Sequence, residues 1–169
     1  ETERAIPILA EAERLASQWA ATDVVRVFAA FWRAWAAYRQ GHFAMAKELI
    51  ASNADVARAG QLPTSLGHSL VTLARVELAL GNVEEACTVV LEGLEIEVAI
   101  QDGWGIALGL DAVTFAAARR GRYEQAARIL GATEAHRERL AVALPVLSRQ
   151  ENDSLVAKLR AELGVRCDA

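Results

Sequence analysis

Few residues in this 169-residue chain have the type and spacing that chemistry demands. The run Gly103-x-Gly105-x-x-x-Gly109 superficially suggests a nucleotide fingerprint, but its spacing is wrong and no strand precedes it, so a helix start is expected there. No phosphate-cradling loop with a Lys followed by Ser or Thr is present. His42, His68 and His136 lack the cysteine or carboxylate spacing of zinc ligands. His42 falls at an expected corner, and His136 stands between Glu134 and Glu138, whose i,i+2 side chains point apart on a helix. Cys87 has no base placed in sequence to activate it, and Cys167 falls in a terminal tail. Glu92, Glu95, Glu97 and Asp102 form an acidic patch, expected to be a solvated face near the edge of a helix pair, since calcium would need a proper loop of ligands. No catalytic residue, cofactor or metal site is therefore expected, and the chain does not read as an enzyme.

The elements that would position any site follow a period of forty. Gly41-His42-Phe43-Ala44-Met45-Ala46, Gly81-Asn82-Val83-Glu84-Glu85-Ala86 and Gly121-Arg122-Tyr123-Glu124-Gln125-Ala126 each place an apolar residue two after the glycine and an alanine five after it. Such a period in a helical pattern marks a solenoid of helix pairs. The expected class is all-α, a single domain over 1–169 with units at 21–60, 61–100 and 101–140 and flanking helices at about 3–17 and 154–163. Residues 141–149, with Pro145, read as a less regular link. Thr22 or Asp23 can cap the first unit, and Gly60-Gln61-Leu62-Pro63 is a turn signal before the second. The recurring Ala46, Ala86 and Ala126 are expected where helices approach closely, with Phe43, Val83 and Tyr123 plugging the corners.

Composition narrows the partners. The chain is 53% hydrophobic with three prolines, which suits a helical globular protein. A net charge of −4 gives no reason to expect nucleic acid or acidic membranes, and the longest apolar run, Val27 to Trp32, cannot span a bilayer. Two cysteines eighty residues apart form no disulfide framework, so a reducing, cytoplasmic setting is expected. The first residue is Glu1 rather than Met, which suggests a fragment of a longer protein.

The glycine, apolar and alanine frame resembles the second half of the tetratricopeptide repeat (TPR). That family's first-helix apolar positions fall on Leu70, Leu73 and Ala74 in the second unit and on Leu110, Val113 and Ala117 in the third. The first unit departs from the pattern, with Arg33 where a Leu is expected. Trp104-Gly105-Ile106-Ala107-Leu108 and the run from Gly121 to Ala135 are similar to the C-terminal helical repeats of bacterial LuxR-type and STAND ATPase regulators. The closing stretch from Leu155 to Gly164 fits the end of that segment. The resemblance implies a right-handed α-α superhelix and a non-catalytic regulatory scaffold that senses a protein, peptide or small-molecule inducer for companion domains.

In that frame the first helices line the concave wall. Its inward positions are Phe28, Phe31, Trp32, Trp35, Tyr38 and Arg39, then His68, Val71, Thr72, Arg75 and Leu78, then Leu108, Asp111, Ala112, Phe115 and Arg119. Two roles fit the aromatic end: packing against the N-terminal helix or a companion domain, or an open groove for a partner. Arg39, Arg75 and Arg119 fit equally as dipole complements near helix ends or as donors to an acidic partner. A homodimer, a structural oligomerisation arm and an accessory domain of an enzyme are the remaining expectations.

Overall fold

A computed structural model describes residues 7–8, 10–11, 14–15, 23–141 and 146–164. Seven helices follow one another without a strand among the described residues: α1 (Asp23–Arg39), α2 (Phe43–Ala59), α3 (Pro63–Leu80), α4 (Val83–Ala99), α5 (Gly103–Arg119), α6 (Tyr123–Leu140) and α7 (Val146–Glu162). Residues 7, 8, 10, 11, 14 and 15 are helical, while the rest of the expected 3–17 helix, Thr22, Pro145 and Cys167 lie outside the described residues.

Each corner closes in the same way. The backbone N–H groups of His42, Leu62, Asn82, Asp102 and Arg122 each donate to the carbonyl five residues back at 2.9 to 3.0 Å. This is the long bond of a Schellman ending, which requires a left-handed residue just before the donor. Within the units that residue is Gly41, Gly81 or Gly121, at φ 78°, 88° and 71°. At the far end of the units it is Gln61 or Gln101, at φ 53° and 57°, and Ala141, one period on, has φ 52°. Both turns thus recur every forty residues, though only one is marked by glycine. Pro63 opens α3, where its missing N–H costs nothing. Asp102 caps α5, its Oδ1 accepting from the N–H groups of Trp104 (2.9 Å) and Gly105 (3.0 Å).

The short corners fold each unit into an antiparallel hairpin. α1, α3 and α5 pack successively on one another as well as on their own partners, while α2, α4 and α6 pack chiefly on the first helices beside them. The result is an inner wall of first helices and an outer wall of second helices. Ala46, Ala86 and Ala126 are buried at the hairpin crossings, beside Ile50, Val90 and Leu130 respectively. Between α3 and α4 the approach is closer still: a Cβ on Gly93 would lie 2.9 Å from Val71 Cγ1 and 3.1 Å from the Val71 backbone nitrogen. The closing helix departs from expectation. α7 begins at Val146 rather than near residue 154, so residues 146–149 of the supposed link are helical. A proline is compatible with a helix that starts immediately after it. α7 packs against α6 and α5 and carries Glu151 to the inner wall.

Candidate functional site

The inner wall holds a groove of about 320 Å³ built around Arg75. Residues 35, 75 and 115 are one period apart, so Trp35, Arg75 and Phe115 occupy the same place on α1, α3 and α5. The Arg75 guanidinium carbon lies 5.5 Å from the Trp35 ring centre, 5.6 Å from that of Phe115 and 5.9 Å from that of Tyr38. Ring faces attract a cation that has lost its water, and Arg75 is only 4% exposed. Its Nη2 donates to Glu151 Oε2, and its Nη1 stands 3.9 Å from Asp111 Oδ2. Among the described residues neither Nε nor Nη1 makes a hydrogen bond.

Asp111 is buried beneath Arg75 and accepts a hydrogen bond from Arg137 Nη2 on α6. Burial pushes the Asp111 carboxyl up, with the Arg137 and Arg75 charges opposing it. Tyr38 is likewise pushed up by burial, against the pull of Arg75. The Tyr38 hydroxyl donates to Glu151 Oε1 at 3.2 Å, and Arg39 Nη1 is 3.7 Å from the same oxygen. Phe43, Leu78, Ala79 and Arg119 complete the groove. Residues 39, 79 and 119 are again one period apart, so Ala79 leaves space between the flanking Arg39 and Arg119.

The expected wall residues therefore divide. Trp35, Tyr38, Arg39, Arg75, Asp111, Phe115 and Arg119 gather at or beneath the groove. Arg75 is not placed like the other two arginines: it lies four residues, one helical turn, before the position of Arg39 and Arg119, and is buried where Arg119 is exposed. Phe31 belongs to the core with Ala34, Ile50 and Val76. Phe28 and Trp32 stand at the outer edge of α1, 63% and 37% exposed, stacked edge-on with each other.

His68 is elsewhere, edge-on to Trp104 and 3.0 Å from Asp102 Oδ2 through Nε2. The expected solvated acidic patch is corrected here, because Glu97 is 0% exposed while Glu92 and Glu95 face outward. Burial, and then the charge of Asp102, push the Glu97 carboxyl up to about 8. Burial would also raise Asp102, yet the N–H of Gly105, the His68 ring and the N–H of Trp104 hold it below its ordinary value. Burial lowers His68, with Asp102 opposing.

Glu151, Arg137 and the His68–Asp102 contact escaped the sequence patterns. Residues 57, 97 and 137 are one period apart and all three are buried, but Ala, Glu and Arg share no chemistry that shows it in sequence. Glu151 left no signal, because α7 lies outside the repeat.

Three segments, residues 27–52, 67–92 and 115–132, match the family model of the tetratricopeptide repeat. Among solved structures, the chain is similar to a Podospora anserina protein described as a kinesin light chain with nearly identical TPR-like repeats. The two share 18% identity and a TM-score of 0.62, over 99% of this chain and 90% of that one. That likeness shows the fold alone: an all-α, TPR-like superhelix. No curated protein matches the chain in sequence. No helix among the described residues is long and apolar enough to cross a membrane.

Proposed function

We propose that this chain is a non-catalytic interaction scaffold whose inner groove takes an acidic segment of a protein partner. TPR repeats generally serve protein–protein interaction, which supports the scaffold role. The observation that carries the acidic specificity is Arg75. Its buried guanidinium sits among three rings; among the described residues two of its nitrogens make no hydrogen bond, and the third donates to a carboxylate on a helix outside the repeats. A partner's Asp or Glu offers the same chemistry as Glu151, and two carboxylate oxygens match an Arg fork. Arg39 and Arg119 at the rim add long-range attraction for the same charge.

The wider setting is also our proposal. The likeness of Trp104–Leu108 and Gly121–Ala135 to the repeats of bacterial LuxR-type and STAND regulators supports a sensor segment in a larger cytoplasmic regulatory ATPase. There the groove reads an inducer protein or a small anionic molecule and relays its binding to companion domains. A second copy of the chain is the alternative partner for the α1 edge, favoured by the exposed Phe28 and Trp32. Sedimentation from micromolar concentration upward tests it, and a constant monomer mass ends that alternative.

Selection of displayed peptides against the purified chain tests the groove. Bound peptides should be enriched in Asp or Glu beside an apolar residue, and Arg75→Met should abolish their binding while circular dichroism reports an intact fold. Arg119→Met, at an exposed position, should weaken the same peptides. Peptides without acidic residues, or equal binding to folded Arg75→Met, would overturn the proposal.

A further inference from the structure

We infer that His68, Glu97 and Asp102 form a binding site for a divalent transition-metal ion of the zinc class. The three come from different elements: His68 from the second turn of α3, Glu97 from near the end of α4, and Asp102 from the corner that leads into α5. Each offers one ligand atom, and all three atoms lie within 4.8 Å of one another. His68 Nε2 is 3.0 Å from Asp102 Oδ2 and 3.8 Å from Glu97 Oε1. In a tetrahedral zinc site with bonds of about 2.0 to 2.2 Å, ligand atoms stand roughly 3.3 Å apart, so these separations bracket the required one.

A cluster of acids alone would mean little; the second observation is Glu97 itself. Its side chain is 0% exposed, and among the described residues neither carboxylate oxygen has a hydrogen-bond partner. A buried carboxylate without donors is costly, and a metal ion satisfies it as no neighbour here does. Space around it is made by two glycines. A Cβ on Gly67 or on Gly105 would collide with the Glu97 carboxylate. Asp102 is already oriented from behind, since Oδ1 accepts from the N–H groups of Trp104 and Gly105 while Oδ2 faces His68. Hydrogen bonds of that kind fix ligating carboxylates in metal sites.

One imidazole and two carboxylates suit zinc, cobalt or manganese, and two negative charges neutralise a dication. Calcium and magnesium prefer six or more oxygens, which three side chains do not supply. A water would complete the set; of the three ligands, His68 lines a cavity of about 90 Å³ with Phe28, Trp32 and Trp104. The ion would tie α3, α4 and the corner before α5 together, clamping the second unit to the third. No reaction is assigned to it.

The test uses the whole chain, freed of metal by chelation and without a histidine tag, titrated with zinc chloride by calorimetry and with cobalt chloride by absorption. One equivalent should bind, with visible cobalt bands of a four-coordinate site. Zinc at ~100-fold excess over Kd should raise Tm on the order of 5 °C. His68→Gln and Glu97→Gln should lose the bound equivalent and the Tm rise, while His136→Gln keeps both. If Glu97→Gln fails to fold, the shift of the His68 imidazole NMR signals on adding zinc to wild type reads the same contact. Absence of stoichiometric binding, equal binding by folded His68→Gln, or unmoved His68 signals would overturn the inference.

Discussion

Replacing Gly131 and Gly93 by alanine, one at a time, tests the helix packing with opposite signs. Both glycines lie inside helices, Gly131 in α6 and Gly93 in α4. Glycine in a helix interior is less favourable than alanine by ~0.8–1.0 kcal/mol, so propensity alone predicts the same gain at each. Their surroundings differ. Beyond the backbone of its own helix, nothing among the described residues lies within 4 Å of a Cβ added at Gly131, and Gly131→Ala should keep the gain, a Tm rise of about 3 °C for a chain of this size. At Gly93 the new methyl would meet Val71 Cγ1 at 2.9 Å and both Leu70 Cβ and the Val71 nitrogen at 3.1 Å. Backbone and Cβ atoms cannot swing aside as the tip of a long side chain can, so α3 and α4 must separate. Overpacking of this kind costs ~1–3 kcal/mol, which outweighs the propensity gain. Gly93→Ala should therefore fall below wild type by about 1 kcal/mol. Thermal and urea melts followed by far-UV circular dichroism would place the three proteins in order. If Gly93→Ala is as stable as Gly131→Ala, the close approach of α3 and α4 is refuted, and with it the packing of the second hairpin.

Three further outcomes follow from the same geometry. With chelator present, stability attributable to Glu97 should be full below its unfolded pKa near 4.5 and be lost as pH rises toward about 8, because burial favours the protonated form. The stability of Glu97→Gln relative to wild type should accordingly improve by about 3 kcal/mol between pH 5 and 8 in urea melts, and a flat difference would contradict the burial of that carboxyl. Leu130→Ala, truncating a buried side chain of the third core cluster, should cost ~2–5 kcal/mol in the same assay. Ala86→Leu should cost ~1–3 kcal/mol by forcing α3 and α4 apart, and an unchanged melt for both would mean that the forty-residue frame is misplaced.

Helix pairing was legible because the left-handed corners at residues 41, 81 and 121 are occupied by glycine, the one residue that takes positive φ without strain. The matching left-handed residues Gln61, Gln101 and Ala141 share no residue type that marks them, so the unit boundaries were placed without revealing their common backbone conformation. Much of the groove was legible too, because α1, α3 and α5 keep one helical register and so Trp35, Tyr38, Arg75 and Phe115 share a face. The start of α7 was misjudged because Pro145 read as an interruption, while the helix begins directly after it. Glu97 was misjudged because a run of acids reads as solvated when each is taken alone. The residues one period away, Ala57 and Arg137, are buried as well, but their types do not announce it in the sequence. His68 and Asp102 are 34 residues apart, and only the stacking of the second unit on the third brings them together.

The stacking of Trp35, Arg75 and Phe115 has a consequence for how this chain can change in length. A solenoid is indifferent to how many units it holds, since each contacts only its neighbours. This one is not indifferent in the middle. Duplicating residues 61–100 would repeat every corner faithfully and still set two arginines side by side between the aromatic rings, a buried like-charge pair answered by Glu151 and by an Asp111 already paired with Arg137. Units can be added in front of α1 without touching that stack, but not between α1 and α5. The length of the central array is thus fixed by its electrostatics rather than by its packing.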